Sequence, residues 1–155
     1  MEIGHWEGDT VEGKGHKDGI HTEVERVSRY LLAKKIGAIT SEATIIVQKE
    51  LFFSLPEVVR RTTTLDNGRE NHLHYQLQAL GMQTYFADPY SSWQRGTNEN
   101  TNGLLRRYLP KKTSFIPLTQ EELDEIVWEI NNRPRKVLHY RTPFEILSGA
   151  IQLRM

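Results

Sequence analysis

The seven residues at 13–19, GKGHKDG, hold no large apolar side chain and separate two strand-like segments. A connection this short joins antiparallel neighbours, because a parallel pair needs a crossover of a dozen or more residues. Residues 5–11 alternate loosely before the turn and residues 20–27 follow it. Residues 30–36 (YLLAKKI) read as a third strand beyond Ser28 and Arg29. The chain therefore opens as a three-stranded antiparallel meander.

Later strand-like segments are separated by helix-length connections. Thr40 or Ser41 caps a helix over 42–53 (EATIIVQKELFF), and Pro56 stops it. Residues 58–65 (VVRRTTTL) form a β-branched strand that runs into Asp66-Asn67-Gly68. A short helix over 72–80 stops at Gly81, a natural residue after a helix end. Residues 82–87 (MQTYFA) make the fifth strand. A loop then leads into a helix ending in Leu104-Leu105-Arg106-Arg107.

Two capping boxes mark the remaining helices. Thr119 to Glu122 begins one, with Leu118 and Leu123 at staple positions and Leu123, Ile126, Val127 and Ile130 on one face. Trp128 is placed in the core with that helix. Thr142 to Glu145 begins the other, with Pro143 at the first helical position and Ser148-Gly149 closing it. The order implies an α/β fold. Its five-stranded mixed sheet has three antiparallel strands, then two parallel ones, and helices flank it.

The chain of 155 residues suits a single domain, 1–155. Lys and Arg number 20 and Asp and Glu number 20, so the net charge is zero. Any binding of nucleic acid must rest on local charge. There is no Cys, which excludes disulfides and Cys-based zinc sites. No apolar run is long enough to span a membrane, and the first residues lack the pattern of a signal peptide.

Three acids stand out by position. Asp9 lies in the first strand and Asp66 at the end of the fourth, although Asp is disfavoured in strands. Glu99 is the only carboxylate between Asp88 and Glu121, in an interval that carries Arg95, Arg106, Arg107, Lys111 and Lys112. If the first and fourth strands are neighbours, both Asp side chains meet at one edge, and the helix after the fifth strand can bring Glu99 there. Converging carboxylates require a compensating cation. Oxygen-only ligands favour Mg²⁺ or Mn²⁺, ions suited to phosphodiester chemistry.

The stretches GHWEGDTV, TLDNGRE, ADPYSSWQRGTNENTNGLLRRYLPKKT, NNRPRK and RTPFEIL occur in this order from Gly4 to Leu147. Together they resemble the catalytic core of the IS-thirty family of bacterial insertion-sequence transposases, which are DDE recombinases similar to retroviral integrases with a ribonuclease-H-like fold. The resemblance implies that Asp9, Asp66 and Glu99 are the catalytic, metal-binding triad. It implies two Mg²⁺ ions with DNA bound, Mn²⁺ able to substitute, and Asp9 bridging them. It further implies cleavage at transposon ends, then direct transfer of the 3′-OH to target DNA without a covalent enzyme intermediate.

The implied partners are transposon-end and target DNA and a second or further copy of the chain, in a bacterial cytoplasm at the nucleoid. The family's N-terminal DNA-binding region is expected to be absent from this chain. Two features depart from the family pattern. Asn71 stands where Phe is usual, and the 33 positions from Asp66 to Glu99 are one fewer than the resemblance implies.

Expected DNA contacts are Tyr90, Trp93, Gln94, Arg95, Asn98, Asn102, Arg106, Arg107, Lys111, Lys112 and Arg133. Arg60, Arg61, Arg135 and Lys136 are further candidates for phosphate. Tyr90 and Trp93 are suited to stacking on bases. Glu7, on the strand face of Asp9, is expected to serve as the structural partner of a basic residue. His16, His21, His72 and His74 are expected to be surface or hydrogen-bonding residues rather than metal ligands. Two other readings remain at this stage: a metal-dependent nuclease on the same fold, and a non-catalytic DNA-binding remnant.

Overall fold

The computed structural model describes residues 2–88 and 96–154. Five strands form one sheet in the order β3-β2-β1-β4-β5. These are β1 (His5–Glu12), β2 (Gly19–Glu25), β3 (Leu31–Ile36), β4 (Thr62–Leu65) and β5 (Gln83–Phe86). β1 to β3 form the antiparallel meander, while β4 runs parallel to β1 and β5 parallel to β4. Every residue of β2 is buried, as an inner strand covered on both faces requires.

Among the described residues, four α-helices flank the sheet: α1 (Ser41–Phe53), α2 (Gly96–Tyr108), α3 (Gln120–Asn131) and α4 (Pro143–Arg154). On one side of the sheet, α1 covers Trp6, which packs with Ile45, Phe52, Leu77 and Met82. The Trp6 indole meets Phe52 edge-on at 5.5 Å and donates a 2.7 Å hydrogen bond to the Val59 carbonyl. On the other side, α2 and α3 bury Leu105, Leu123 and Ile130 against Val11, Ile20, Val24 and Leu31. Burial of each such side chain contributes about 1.5–3 kcal/mol.

Local signals explain several boundaries. Thr40 caps α1 by accepting from the Ala43 amide. The β-branched residues of α1 are tolerated because Thr44, Ile45 and Val47 are buried, so packing outweighs propensity. Thr119 and Glu122 form the reciprocal capping box of α3. No helix among the described residues is long and apolar enough to cross a membrane.

Four expectations are corrected. Trp128 is 66% exposed. At 3.6 residues per turn it lies about 140° around α3 from Leu123, off the apolar stripe. The strand expected over 58–65 is shorter, because Glu57–Val59 is a 3-10 turn that places Val59 against Ile3 and Leu147. The helix expected over 72–80 is a pair of 3-10 segments, Arg69–Asn71 and His74–Leu80. His74, Leu77 and Leu80 recur every third residue, a spacing that a 3-10 helix stacks on one face. The second segment does end at Gly81, whose φ of 76° is left-handed. Finally, α4 runs through Gly149 to Arg154, because Ala150 and Ile151 pack on the cluster of Ile3, Val59 and Leu147.

Candidate active site

The site is built on the middle of β1. Glu7, Asp9 and Val11 alternate onto the face covered by α2 and α3. Glu7 is 2% exposed and fully engaged. Arg26 Nε donates to its Oε2 at 3.0 Å, and the Asn98 amide donates to its Oε1 at 3.1 Å. Glu7 is thus the structural partner of a basic residue, as expected.

Asn98 and Asn102, one helical turn apart on α2, dock that helix onto β1. Asn98 Nδ2 donates to the Glu7 carbonyl at 3.0 Å, and Asn98 is 1% exposed. Its expected contact with DNA is corrected on this ground: the side chain is buried and committed to the sheet. Asn102 Nδ2 donates to Asp9 Oδ2 at 3.0 Å and to Asn98 Oδ1 at 3.1 Å, while Thr22 donates to Asn102 Oδ1 at 3.2 Å. Asn102 therefore orients Asp9. The i, i+4 spacing of the two asparagines was the sequence signal for this role.

Asp9 Oδ1 also accepts from the Thr10 amide at 2.9 Å. Asp66 follows β4 directly. Its Oδ1 accepts from the Gly68 amide at 2.9 Å and from Asn71 Nδ2 at 3.0 Å, closing a tight turn. Asn71 is 4% exposed and acts as a donor to the acid. The parallel pairing of β1 and β4 ends at Glu7 and Thr64. Asp9 and Asp66 each lie two residues further on, so the register leads both acids to the same end of adjacent strands.

Glu99 is exposed in the first turn of α2, where a negative charge favours the helix dipole. Asp9 and Glu99 line one cavity of about 790 Å³, together with Lys14, His16, Asn102, Arg106, Lys111 and Lys112. Asp66 is not part of that lining. Among the described residues, no three His, Asp or Glu side chains form a ready cation site. The donor chemistry fits a hard divalent ion, since the three acids offer oxygen alone.

The basic residues divide by role. Arg106 donates to the Glu12 carbonyl at 3.0 Å and the Leu109 carbonyl at 3.3 Å and lies over the Phe115 ring. Burial lowers its pKa, an effect the Glu12 carboxylate opposes. Arg106 thus secures the cavity wall. Arg107, Lys111 and Lys112 are exposed. Arg133 donates to the Tyr108 hydroxyl at 2.6 Å. Tyr90, Trp93, Gln94 and Arg95 lie outside the described residues.

Behind β1 lies a polar cluster not anticipated from sequence. Glu23 is fully buried and bonds to His21 Nε2 at 2.5 Å, Thr63 Oγ1 at 2.5 Å and Gln48 Nε2 at 3.4 Å. It reaches from β2 across β1 to β4 over Gly8. A Cβ at Gly8 would lie 2.3 Å from Glu23 Oε2 and 2.6 Å from Leu65 Cδ2. The glycine of WEGDT thus lets one buried acid tie together the strands that carry Asp9 and Asp66.

The sheet order, the parallel β1–β4 pair and the helices on both faces define an integrase-type core with the ribonuclease-H-like fold. The catalytic core domain of BIV integrase superposes with a TM-score of 0.76 at 18% identity, over 97% of each chain. By sequence, the chain is similar over nearly its whole length to transposases of the IS-thirty family. It is 44% identical over 153 residues to transposase InsI for insertion sequence element IS30A of Escherichia coli, covering 97% of this chain and 39% of that protein. It is 45% identical over 149 residues to the transposase for insertion sequence element IS1086 of Cupriavidus metallidurans, covering 96% and 44%. No family model matches the chain. The chain spans about two fifths of the length of these relatives.

Proposed function

We propose that this chain is the catalytic core of a DNA transposase, which cuts phosphodiesters at the ends of an insertion element and transfers the freed 3′-OH to target DNA. The carrying observation is the position of Asp9. Strand register leads it to the same sheet end as Asp66, and it shares with Glu99 a cavity rimmed by Lys14, Lys111 and Lys112.

Asp9, Asp66 and Glu99 are the residues that would hold Mg²⁺, two ions with DNA present, or Mn²⁺ in its place. Bound there, such ions lower the pKa of a water and offset charge at the reacting phosphate. Asn102 holds Asp9, and Asn71 with the Gly68 amide holds Asp66. The exposed Lys14, Lys111 and Lys112 offer positive charge to the DNA backbone at the cavity rim. The partners are transposon-end and target DNA and further copies of the chain, in the bacterial cytoplasm at the nucleoid.

The test is a strand-transfer assay with Mn²⁺, a labelled element-end duplex and a plasmid target. The expected result is a labelled product joined to the plasmid. Nicking without joining would favour a nuclease, and neither nicking nor joining a non-catalytic module.

A further inference from the structure

Three arginines lie away from the carboxylate cavity, brought together by a clamp between α3 and the sheet. Asn131, the last residue of α3, binds the backbone of Leu31 twice: the Leu31 amide donates to Asn131 Oδ1 at 2.8 Å, and Asn131 Nδ2 donates to the Leu31 carbonyl at 2.9 Å. This clamp sets Arg29, in the β2–β3 turn, beside the segment carrying Arg133 and Arg135. The Arg135 amide is fixed by the Arg141 carbonyl at 3.0 Å.

The backbone around these residues is unusual. Arg29 has φ 65°, and His139 and Tyr140, next to the Arg135–Arg141 bridge, have φ 54° and 66°. Such conformations are uncommon for residues other than glycine. Arg29 reaches Thr97 Oγ1 at 2.8 Å, two residues before Glu99 on α2.

Among the described residues, no carboxylate pairs directly with the group. All three side chains are half-buried. None forms an ion pair among the described residues, and Glu129, which engages the Tyr108 hydroxyl, makes none with Arg133. Arg29 Nε and Arg135 Nη1 are buried without a hydrogen-bond partner. Burial, then the charges of Arg29 and Arg133, pull the Arg135 pKa below its ordinary value. Clustered, partly desolvated guanidinium groups are costly alone and are well matched to phosphate oxygens.

We propose that Arg29, Arg133 and Arg135 form a phosphodiester-binding site for a DNA strand alongside α2, between Thr97, which Arg29 reaches, and Tyr108, to whose hydroxyl Arg133 donates, and outside the lining of the carboxylate cavity. The proposal rests on the transposase reading and adds where the strand is held. Arg29 extends the basic surface beyond the residues evident in the sequence motifs.

The experiment measures binding of a fluorescent 20-base-pair duplex without divalent metal, across a salt series. Relative to wild type, Arg29→Gln/Arg135→Gln should bind about tenfold more weakly at low salt, and the log–log salt slope should fall by about 2. Unchanged affinity and slope overturn the site. If the glutamine pair does not melt cooperatively, Arg29→Lys/Arg135→Lys decides. It should weaken binding while keeping the slope, and wild-type affinity in it overturns the site. Inorganic phosphate at matched ionic strength should leave duplex binding unchanged, whereas displacement of the duplex assigns the site to free phosphate and overturns the proposal. Failure of wild-type strand transfer would defeat the transposase reading without altering this metal-free readout.

Discussion

Glu23 and Asp9 lie on opposite faces of the same strand junction and are held in opposite ways. Glu23 has no exposed surface and bonds to three side chains, from β2, β4 and α1. Asp9 is half-buried, opens onto a basic-rimmed cavity, and is oriented by the Thr10 amide and the Asn102 carboxamide. A buried carboxylate must be saturated with hydrogen bonds to be tolerated. An acid intended for a cation or a substrate must keep an accessible flank. The difference separates an acid that builds the sheet from one that the sheet presents.

The sharpest way to break this contrast is to remove charge on the open face. Asp9→Asn, Asp66→Asn or Glu99→Gln should each abolish cleavage and strand transfer, with an unfolding free energy within about 0.5 kcal/mol of wild type. Activity surviving in Glu99→Gln would remove that residue from the site. The same operation on the closed face should act on stability. Glu23→Ala leaves His21 and Thr63 without their partner and should cost about 3–5 kcal/mol in urea unfolding. A change below 1 kcal/mol would show that Glu23 does not tie the strands.

Gly8 joins the two faces, so Gly8→Ala should affect both. The added methyl meets Glu23 and Leu65, costs about 1–3 kcal/mol, and should lower cleavage by shifting the neighbouring Asp9. Wild-type stability in that variant would mean that Glu23 gives way freely.

The smallest effect concerns the edge of the sheet. His74 bonds Thr84 Oγ1 at 2.5 Å and stacks edge-on with Phe86 at 4.7 Å. Burial, then nearby His72, lowers its pKa. The unfolded chain therefore binds more protons as pH falls. Stability should decline as pH drops through about 6.5 and level off below the lowered folded value. His74→Gln should flatten that part of a thermal-melting profile against pH.

The parts legible in the sequence were those written locally. The capping box at Thr119 and the stripe through Leu123 and Ile130 located α3, and GKGHKDG announced the first hairpin. The sequence tied the approach of Asp9 and Asp66 to one condition, that the first and fourth strands be neighbours, and β1 and β4 do pair in parallel. Features set by tertiary contact were less visible. Trp128 shares a helix with core residues, yet its angle around the axis decides its exposure. Asn98 looked like a polar surface residue until α2 was laid on β1. Glu23 gave no local sign of burial, because its partners come from β2, β4 and α1. The segment after Asp66 is where an expected helix became 3-10 turns.

The most direct test of the central claim is anomalous diffraction from crystals of this chain soaked in Mn²⁺. The account predicts a Mn²⁺ peak held by carboxylate oxygens of Asp9 and Asp66, with Glu99 beside it. A peak elsewhere, or Asp9 and Asp66 side chains too far apart to share one ion, would contradict it.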